Sequence, residues 1–384
     1  MIGNDHSYDA LIVGGGMAGA SLAYELSKSM RVAIVEAESV AGYHATGRSA
    51  AFWTESYGGL DIQPLTTASG PWLDRPPQDF AERGFLRPRG ALTIGKAEDS
   101  VALDKERALF AGRGVAMQRL SSDAVGAIVP GLKPDWCEAI SEPDCSDIDV
   151  AALHQAYLAG AKRRGALLFL NSPVKAASFG DGQWQVKTSG RALQTPLLIN
   201  AAGAWADNLA VLAGVTPLGI TPLRRTIVQL RMVQNVPDDL PLVIDFHGQF
   251  YFKPEHGSLW LSPHDETPSE PCDAAPEEWD VALAIERLGE VVDWQIEAVE
   301  HRWAGLRSFA PDRVPVYGYD AQHSSFFWFA GQGGYGIQTA PAAARLAASM
   351  ITGDTLSAVD AAIDRSRYEA SRLADSAALA AASM

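Results

Sequence analysis

One stretch near the start restricts the fold more than any other. Residues 9–36 read DALIVGGGMAGASLAYELSKSMRVAIVE. Residues 11–13 have the apolar run of a short buried strand, MAGASLAYELSKS has helical spacing, and RVAIVE supplies a second strand. Between strand and helix, Gly14, Gly16 and Gly19 form GxGxxG, and the second strand closes on Glu36, about twenty residues further on. This pattern predicts a dinucleotide-binding turn. Gly14 permits the tight turn, Gly16 lets a pyrophosphate approach the backbone, and Gly19 lets helix and strand pack closely. The helix N-terminus offers unpaired N–H groups and positive partial charge to the phosphates. The carboxylate of Glu36 is placed to accept hydrogen bonds from ribose hydroxyls. A turn that binds nothing is the plain alternative, and strand, helix and acid together argue against it. The motif alone does not distinguish NAD from FAD.

The next segment, AESVAGYHATGRSAAFWTESYGG, is polar and irregular where an NAD domain would continue with its second crossover helix. Such a connection predicts a loop wrapped around a larger cofactor. A second glycine-rich turn lies near the other end of the chain. In FFWFAGQGGYGIQTAP, residues 326–341, an apolar strand stops at Gly331, Gly333, Gly334 and Gly336, and an Ala-rich helical stretch follows.

At 384 residues the chain has room for two domains, or for one carrying an insertion. It is 47% hydrophobic and 20% charged, the balance of a soluble globular protein, and no apolar run is long enough to cross a bilayer. The opening MIGNDHSYDALIVGGG lacks the basic region and cleavage site of a signal peptide. A net charge of −15 argues against nucleic acid and anionic membrane surfaces as partners. Cys137, Cys145 and Cys272 are widely spaced and form no CxxC, so unpaired thiols in a reducing cytoplasm are expected. The histidines are scattered without ligand spacing, so no metal is expected.

Between the two glycine turns the pattern alternates. RGALTIG reads as a strand among polar helical stretches, and SDIDVAALHQAYLAGAKRRGALLFL as a capped helix and a strand. QWQVKTSGRALQTPLLINAAGAWAD reads as a hairpin and a buried strand that ends in small residues. From about 222 to 300, RTIVQLRMV, FYFKP and LWLSP alternate with period two, which predicts an antiparallel sheet with one face covered by the helix EEWDVALAIERLGEVV. Residues 303–384 read as a loop, the strand FFWFAG and a long helix, with the tail SRLADSAALAAASM helical or frayed. The interleaving predicts an α/β fold. A Rossmann-type domain with a parallel sheet is expected from 1–85, 146–221 and 301–384. A second α+β domain with a mostly antiparallel sheet is expected from 86–145 and 222–300.

GGGMAGAS (14–21), GYHATGRSAA (42–51), DIDVAALHQAYL (147–158), INAAGAWAD (199–207), LAGVTPLGITPLRR (212–225), WAGLRSF (303–309) and GQGGYGIQT (331–339) span nearly the whole chain. In these stretches the chain resembles the D-amino acid oxidase-like flavoproteins, the glycine oxidase, sarcosine oxidase and D-amino acid dehydrogenase group. Within it the chain looks most like the bacterial D-arginine dehydrogenases. The resemblance implies FAD, held non-covalently because no cysteine lies near the terminal motif, with the pyrophosphate at the first turn and the isoalloxazine at the last. A helix N-terminus behind GGYGIQ would then stabilise negative charge on the reduced ring. Cofactor contacts are implied at Gly14, Gly16, Gly19, Glu36, Ala37, His44, Thr46, Arg48, Ser49, Val174, Ala202, Gly203, Trp205, Arg307, Gly333, Gly334, Tyr335, Gly336, Ile337 and Gln338.

The same resemblance places Arg225 and Arg307 around a substrate carboxylate, which their paired N–H donors fit. Arg224, next in the chain, is the alternative to Arg225 because side chains alternate along a strand. Tyr57 and Tyr251 would line the pocket, with Gln338 and the carbonyl of Gly334 near the substrate's polar end. Ordinary structural roles compete: an interface ion pair for Arg307, a core position for Tyr251. Two departures stand out. Gly90 takes the place of a glutamate that receives a guanidinium, and Phe52 takes the place of a histidine. A cationic side chain would then be buried unpaired. The expected reaction is therefore oxidation of a D-amino acid with a neutral or apolar side chain, giving an imine that hydrolyses to a 2-oxo acid and ammonia. The partners would be a small amine substrate and an electron acceptor, oxygen or a quinone. Oxidation of an N-methylated amine or a 2-hydroxy acid is the second expectation, and a flavin-binding scaffold without turnover the third. The resemblance favours a monomer.

Overall fold

The computed structural model describes residues 7–373. Six strands form one sheet in the order Val316–Tyr319, Phe326–Ala330, Leu198–Asn200, Ala10–Val13, Val32–Val35 and Leu167–Phe169. Every neighbouring pair is parallel except the first. Such strands are covered on both faces, which is why they read as unbroken apolar runs rather than as alternation. Phe326–Ala330 shows it: Phe327 and Phe329 enter a core with Ile12, Leu22 and Leu346, while Phe326 and Trp328 enter another with Leu11, Trp184 and Leu193. The first core lies beneath the helices Met17–Leu26, Val150–Arg163 and Ala340–Thr352. The second is covered by a three-stranded antiparallel layer, Val174–Gly180, Gln183–Thr188 and Ala192–Thr195.

Register aligns Val13 with Asn200, and Asn200 with Trp328. The chain therefore leaves three adjacent parallel strands at the same edge of the sheet, into Gly14, Ala201 and Gly331. Strands are spaced by about 4.8 Å, so two glycine turns distant in sequence emerge roughly 10 Å apart. The turn is tight enough to exclude side chains. Gly14 has φ +107, and a Cβ there would lie 2.3 Å from the carbonyl oxygen of Ala201. A Cβ on Gly19 would lie 1.9 Å from the carbonyl oxygen of Gly14.

A larger sheet runs in the order Thr267–Pro268, Thr221–Met232, Ser258–Ser262, Tyr251–Glu255, Leu242–Asp245, Ala91–Gly95, Glu138–Glu142 and Gln118–Leu120. Ile296–Phe309 also pairs with Thr221–Met232. Neighbours are antiparallel except Leu242–Asp245 with Ala91–Gly95. The helix Glu278–Val291 places Val281, Ala284, Leu288 and Val291 on Val228, Leu230 and Leu259 of this sheet, one apolar stripe at helical spacing. A small sheet of Phe52–Trp53, Ser146–Ile148 and Leu86–Pro88 joins the larger one through a buried charge cluster. There Asp147 meets Lys253 at 2.6 Å and also binds Arg87 and Arg89. Asp147, Lys253 and Arg89 are buried, so removing one of these three would leave its partners uncompensated, whereas Arg87 is exposed.

Two expectations change. WAGLRSF, read as a loop, is the end of the strand Ile296–Phe309, and position 301, expected as a domain boundary, lies inside that strand. The residues look loop-like because of their glycine and arginine, but they are buried by pairing with Thr221–Met232. The helix expected behind GGYGIQ is present: turns cover residues 333–338, Thr339 is its N-cap and it runs over Ala340–Thr352. Most of the tail SRLADSAALAAASM lies outside the described residues; its first residues join the short helix Ala370–Leu373.

Glycine substitutions test this packing. Gly19→Ala should lower stability by at least about 2 kcal/mol, because its Cβ meets backbone that cannot move aside. Gly126→Ala, in the exposed helix Ser122–Ile128 with nothing within 4 Å of its Cβ, should be neutral or stabilising by up to about 1 kcal/mol. Denaturant unfolding of both variants measures the contrast.

Candidate active site

Both glycine turns open into one cavity of about 400 Å³. Its walls include Gly14, Gly16, Glu36, Ala37, His44, Thr46, Arg48, Ser49, Val174, Ala202, Gly203, Trp205, Arg307, Gly333, Gly334, Gly336 and Ile337. A smaller cavity of about 30 Å³ adjoins it, lined by Phe52, Tyr57, Arg225, Tyr251 and Gln338. Ser49, Arg307, Gly334 and Ile337 face both. Gly19 and Tyr335 line neither. Gly19 packs helix on strand, and the Tyr335 ring packs among Tyr57, Phe309, Ile62 and Leu223. Burial pushes the Tyr335 hydroxyl up to about 12.

At the first turn, the Glu36 carboxylate is buried and accepts from the Gly15 amide at 2.7 Å and the Glu38 amide at 2.9 Å. A carboxylate has about four acceptor sites, so two bonds leave capacity for hydroxyls. The Met17 amide, in the first turn of the helix, is taken by Thr46 Oγ1 at 2.9 Å. The ring of His44 lies 4.7 Å from that of Trp205, and its Nε2 contacts Glu38 at 3.0 Å. Arg48 donates to the carbonyls of Ala304 and Ala274 and pairs with Asp273, so it ties the loop after the first domain segment to the larger sheet. Sequence reasoning passed over His154, whose buried imidazole contacts the Gly15 carbonyl at 2.8 Å from helix Val150–Arg163. Burial lowers its pKa. Its position in an ordinary helical stretch carries no signal of this contact.

The smaller cavity gathers charge that folding alone does not require. Arg225 and Arg307 are only 3% and 8% exposed. They stand on antiparallel partner strands, with Leu223 opposite Arg307 and Arg225 opposite Gly305. Alternation along the strand sends Arg224 and Arg225 to opposite sides. Arg224 turns away to Glu277 at 2.6 Å and Asp280 at 3.2 Å, while Arg225 faces the cavity. Arg225 donates to the Asp265 carbonyl at 2.9 Å and pairs with Glu266 at 3.1 Å. Burial opposes its charge, yet Tyr57, Tyr251 and Glu266 hold its pKa above the ordinary value. Arg307 donates to the Arg48 carbonyl at 3.3 Å and forms no ion pair among the described residues, although the charge of Asp265 reaches it. Burial, and the nearby charge of Arg225, lower its pKa; a guanidinium nevertheless stays charged.

Aromatic rings close the rest. Phe52 packs edge-on against Tyr57 at 5.3 Å and Tyr251 at 5.9 Å. Burial raises the pKa of Tyr251 despite both arginines, so its hydroxyl keeps its proton. Gln338 receives the Thr54 amide at 3.3 Å and donates to the Tyr57 carbonyl at 3.2 Å, which ties the loop carrying Tyr57 to the terminal turn. Buried Glu142 holds the same loop from the larger sheet, accepting from Thr54 Oγ1 at 2.7 Å and the Glu55 amide at 2.6 Å. Gly90 lines neither cavity. His264 was also missed. It follows strand Ser258–Ser262, and its ring lies 5.7 Å from that of Tyr251. Neither Glu142 nor His264 belongs to a recognisable spacing, and only the fold brings them to the site.

A parallel sheet with glycine turns at its carboxyl edge, joined to an antiparallel sheet that supplies buried arginines, defines a two-sheet dinucleotide-dependent enzyme scaffold. Residues 9–350 match the family model for FAD dependent oxidoreductases (DAO), and the chain belongs to that family. Glycine oxidase of Geobacillus kaustophilus is 26% identical over 361 residues, covering 90% of this chain and 93% of that protein. Human mitochondrial dimethylglycine dehydrogenase is 26% identical over 266 residues. The chain spans only 30%, 41% and 40% of the lengths of the human, rat and mouse dimethylglycine dehydrogenases. Among solved structures, the same Geobacillus glycine oxidase superposes with TM-score 0.83 at 22% identity, covering 96% of this chain and 99% of that one. L-proline dehydrogenase from P. horikoshii gives 0.83 at 23%, covering 97% and 99%. The fold is thus that of the FAD-dependent oxidoreductase family. No helix among the described residues is long and apolar enough to cross a membrane.

One titration is accessible to experiment. Burial first, and then the charge of Arg225, lower the His264 imidazole to about 4. The unfolded residue titrates near ~6.5, so folding opposes its protonation. Stability should therefore fall as pH drops from about 6.5, with the loss complete below about 4, and this residue's share should be on the order of 2–3 kcal/mol. Denaturant unfolding at pH 7 and pH 4.5 should show a smaller pH-dependent loss in His264→Gln than in the native protein.

Proposed function

We propose that this protein oxidises the Cα–N bond of a small amino acid with an uncharged side chain, giving an imine that hydrolyses to a 2-oxo acid and ammonia. The observation that carries the reading is Arg307, a buried guanidinium that forms no ion pair among the described residues, set beside Arg225 where the two cavities meet. A buried cation of this kind calls for an anion, and the planar fork suits a carboxylate. The residues present fit FAD: a glycine cradle without Cβ atoms at one end, Glu36 with spare acceptor capacity, and a second glycine turn in the same cavity. The first turn would hold the pyrophosphate, Glu36 the ribose, and residues 333–337 the redox ring. When bound, FAD supplies the hydride acceptor.

The chain's own residues then bind and orient the substrate. Arg225 and Arg307 would hold the carboxylate, with the protonated Tyr251 hydroxyl beside them. Phe52, Tyr57 and Tyr251 exclude water and leave little room beyond a short side chain. Phe52 supplies no charge to a cationic one. The preference for the D hand rests on the resemblance of the sequence motifs. A second reading, oxidation of an N-methylated amino acid, is supported by the same small cavity and by the similarity to the dimethylglycine dehydrogenases.

Anaerobic reduction of the purified flavoprotein distinguishes these readings, using both hands of alanine, leucine, phenylalanine and arginine, with glycine, N-methylglycine and lactate. A small neutral amino acid should exceed D-arginine in kcat/KM by about 100-fold, the cost of burying an unpaired charge. Preference for D-arginine would refute the assignment, and so would a yellow protein that no member bleaches. Arg307→Leu should lower kcat/KM for the best substrate by about 100-fold or more while FAD remains bound.

A further inference from the structure

The loop carrying Tyr57 presents a hydroxyl to the smaller cavity, and the groups behind that hydroxyl determine which way its proton points. A Cβ on Gly334 would lie 2.8 Å from the Tyr57 oxygen, so this oxygen stands at the junction with the larger cavity. Two groups meet it from behind. The Arg225 guanidinium lines the same cavity and its charge acts on the Tyr57 hydroxyl. A guanidinium has only donors, so toward it the tyrosine oxygen can only accept. The second group is Nε2 of His264, at 3.4 Å. Ligand-free sites often hold such contacts long, and they shorten when a ligand packs the site.

The state of His264 follows from its other contacts. Its Nδ1 faces the Gly248 carbonyl, which can only accept, so Nδ1 carries the proton. In the neutral ring Nε2 is then a bare acceptor. Arg225, Arg313, Glu266, Tyr57 and Tyr251 are the charged or titratable groups facing the ring. Burial and the two arginines disfavour a second proton, which agrees with its depressed pKa. The backbone is also turned for this placement. His264 has φ +54, a region non-glycine residues enter at some cost, and its amide is held by Ser262 Oγ at 3.1 Å.

We infer that His264 is a positioning residue: it takes the Tyr57 hydroxyl proton at Nε2 and so turns the remaining lone pair of that oxygen into the cavity, to receive an N–H of the substrate's amine. This rests on the proposed reading that an amino acid carboxylate lies against Arg225 and Arg307. The two ends of the substrate are then recognised by different groups, the carboxylate by donors and the amine by an acceptor whose direction His264 sets. No charge is added at the amine end, so the site does not favour a substrate held permanently as an ammonium.

The test compares two ligands on the FAD-loaded protein. D-alanine carries both groups and propionate only the carboxylate; their dissociation constants are read from flavin absorbance, by rapid anaerobic mixing where D-alanine is oxidised. His264→Leu and Tyr57→Phe should each weaken D-alanine by about tenfold, the size of one hydrogen bond to an amine, and leave propionate unchanged. His264→Gln, whose amide oxygen can still accept, should recover most of the loss. The double variant should be no worse than either single one, because both remove the same bond. Should His264→Leu not fold, His264→Ala replaces it. Equal weakening of propionate would show a merely structural role and overturn the inference, as would an unchanged D-alanine affinity or additive losses. If D-alanine binds but never reduces the flavin, the proposed reaction fails while the binding comparison still decides the role of His264.

Discussion

The parallel alignment of Ala10–Val13, Leu198–Asn200 and Phe326–Ala330 is the constraint on which the rest depends. Parallel neighbours end at the same edge, so three connections leave the sheet side by side however far apart they are in sequence. Two of them are glycine turns. The third, starting at Ala201, provides the carbonyl against which Gly14 packs. One missing Cβ at Gly14 therefore fixes both the turn and its neighbour. The cavity follows from this arrangement, because glycines at both turns leave backbone where side chains would otherwise fill the edge.

The larger sheet contributes the charge. Thr221–Met232 and Ile296–Phe309 run as one long antiparallel pair, and their ends reach the edge of the first sheet. Arg225 and Arg307 are carried there on a rigid ribbon rather than on loops, which suits groups that must be held in place against desolvation. Burying two guanidiniums together costs stability, and Glu266, paired with Arg225, and the charge of Asp265 offset only part of it. Glu266 is shared with Arg313 at 2.7 Å, so its charge is divided. Such an arrangement has no advantage for folding. The proposed use, binding an anion, links the architecture to the chemistry.

Much of this was legible in the residues, for specific reasons. Period-two patterns and glycine punctuation are local signals, so both glycine turns, the hairpin layer and the antiparallel region were readable. The order of strands was not local; it came from the interleaving of pattern types. The misreadings share a cause. WAGLRSF looks irregular because its pairing partner lies far away in sequence, and a strand's partner cannot be seen from its own composition. Arg224 and Arg225 were indistinguishable until the register fixed which face each one takes. His154, His264 and Glu142 carry no spacing signature, since each acts through one or two contacts that only tertiary structure creates. Tyr335 shows the converse: a residue inside a motif whose side chain turns to packing.

Binding of FAD and of ADP to the apoprotein tests the central claim, that the two turns grip opposite ends of one cofactor. ADP contains only the part assigned to the first turn. Gly16→Val should weaken both ligands, whereas Gly334→Val should weaken FAD by at least about tenfold and leave ADP unchanged. If Gly334→Val leaves FAD binding intact, or weakens ADP equally, the two turns do not divide one cofactor between them and the account is wrong.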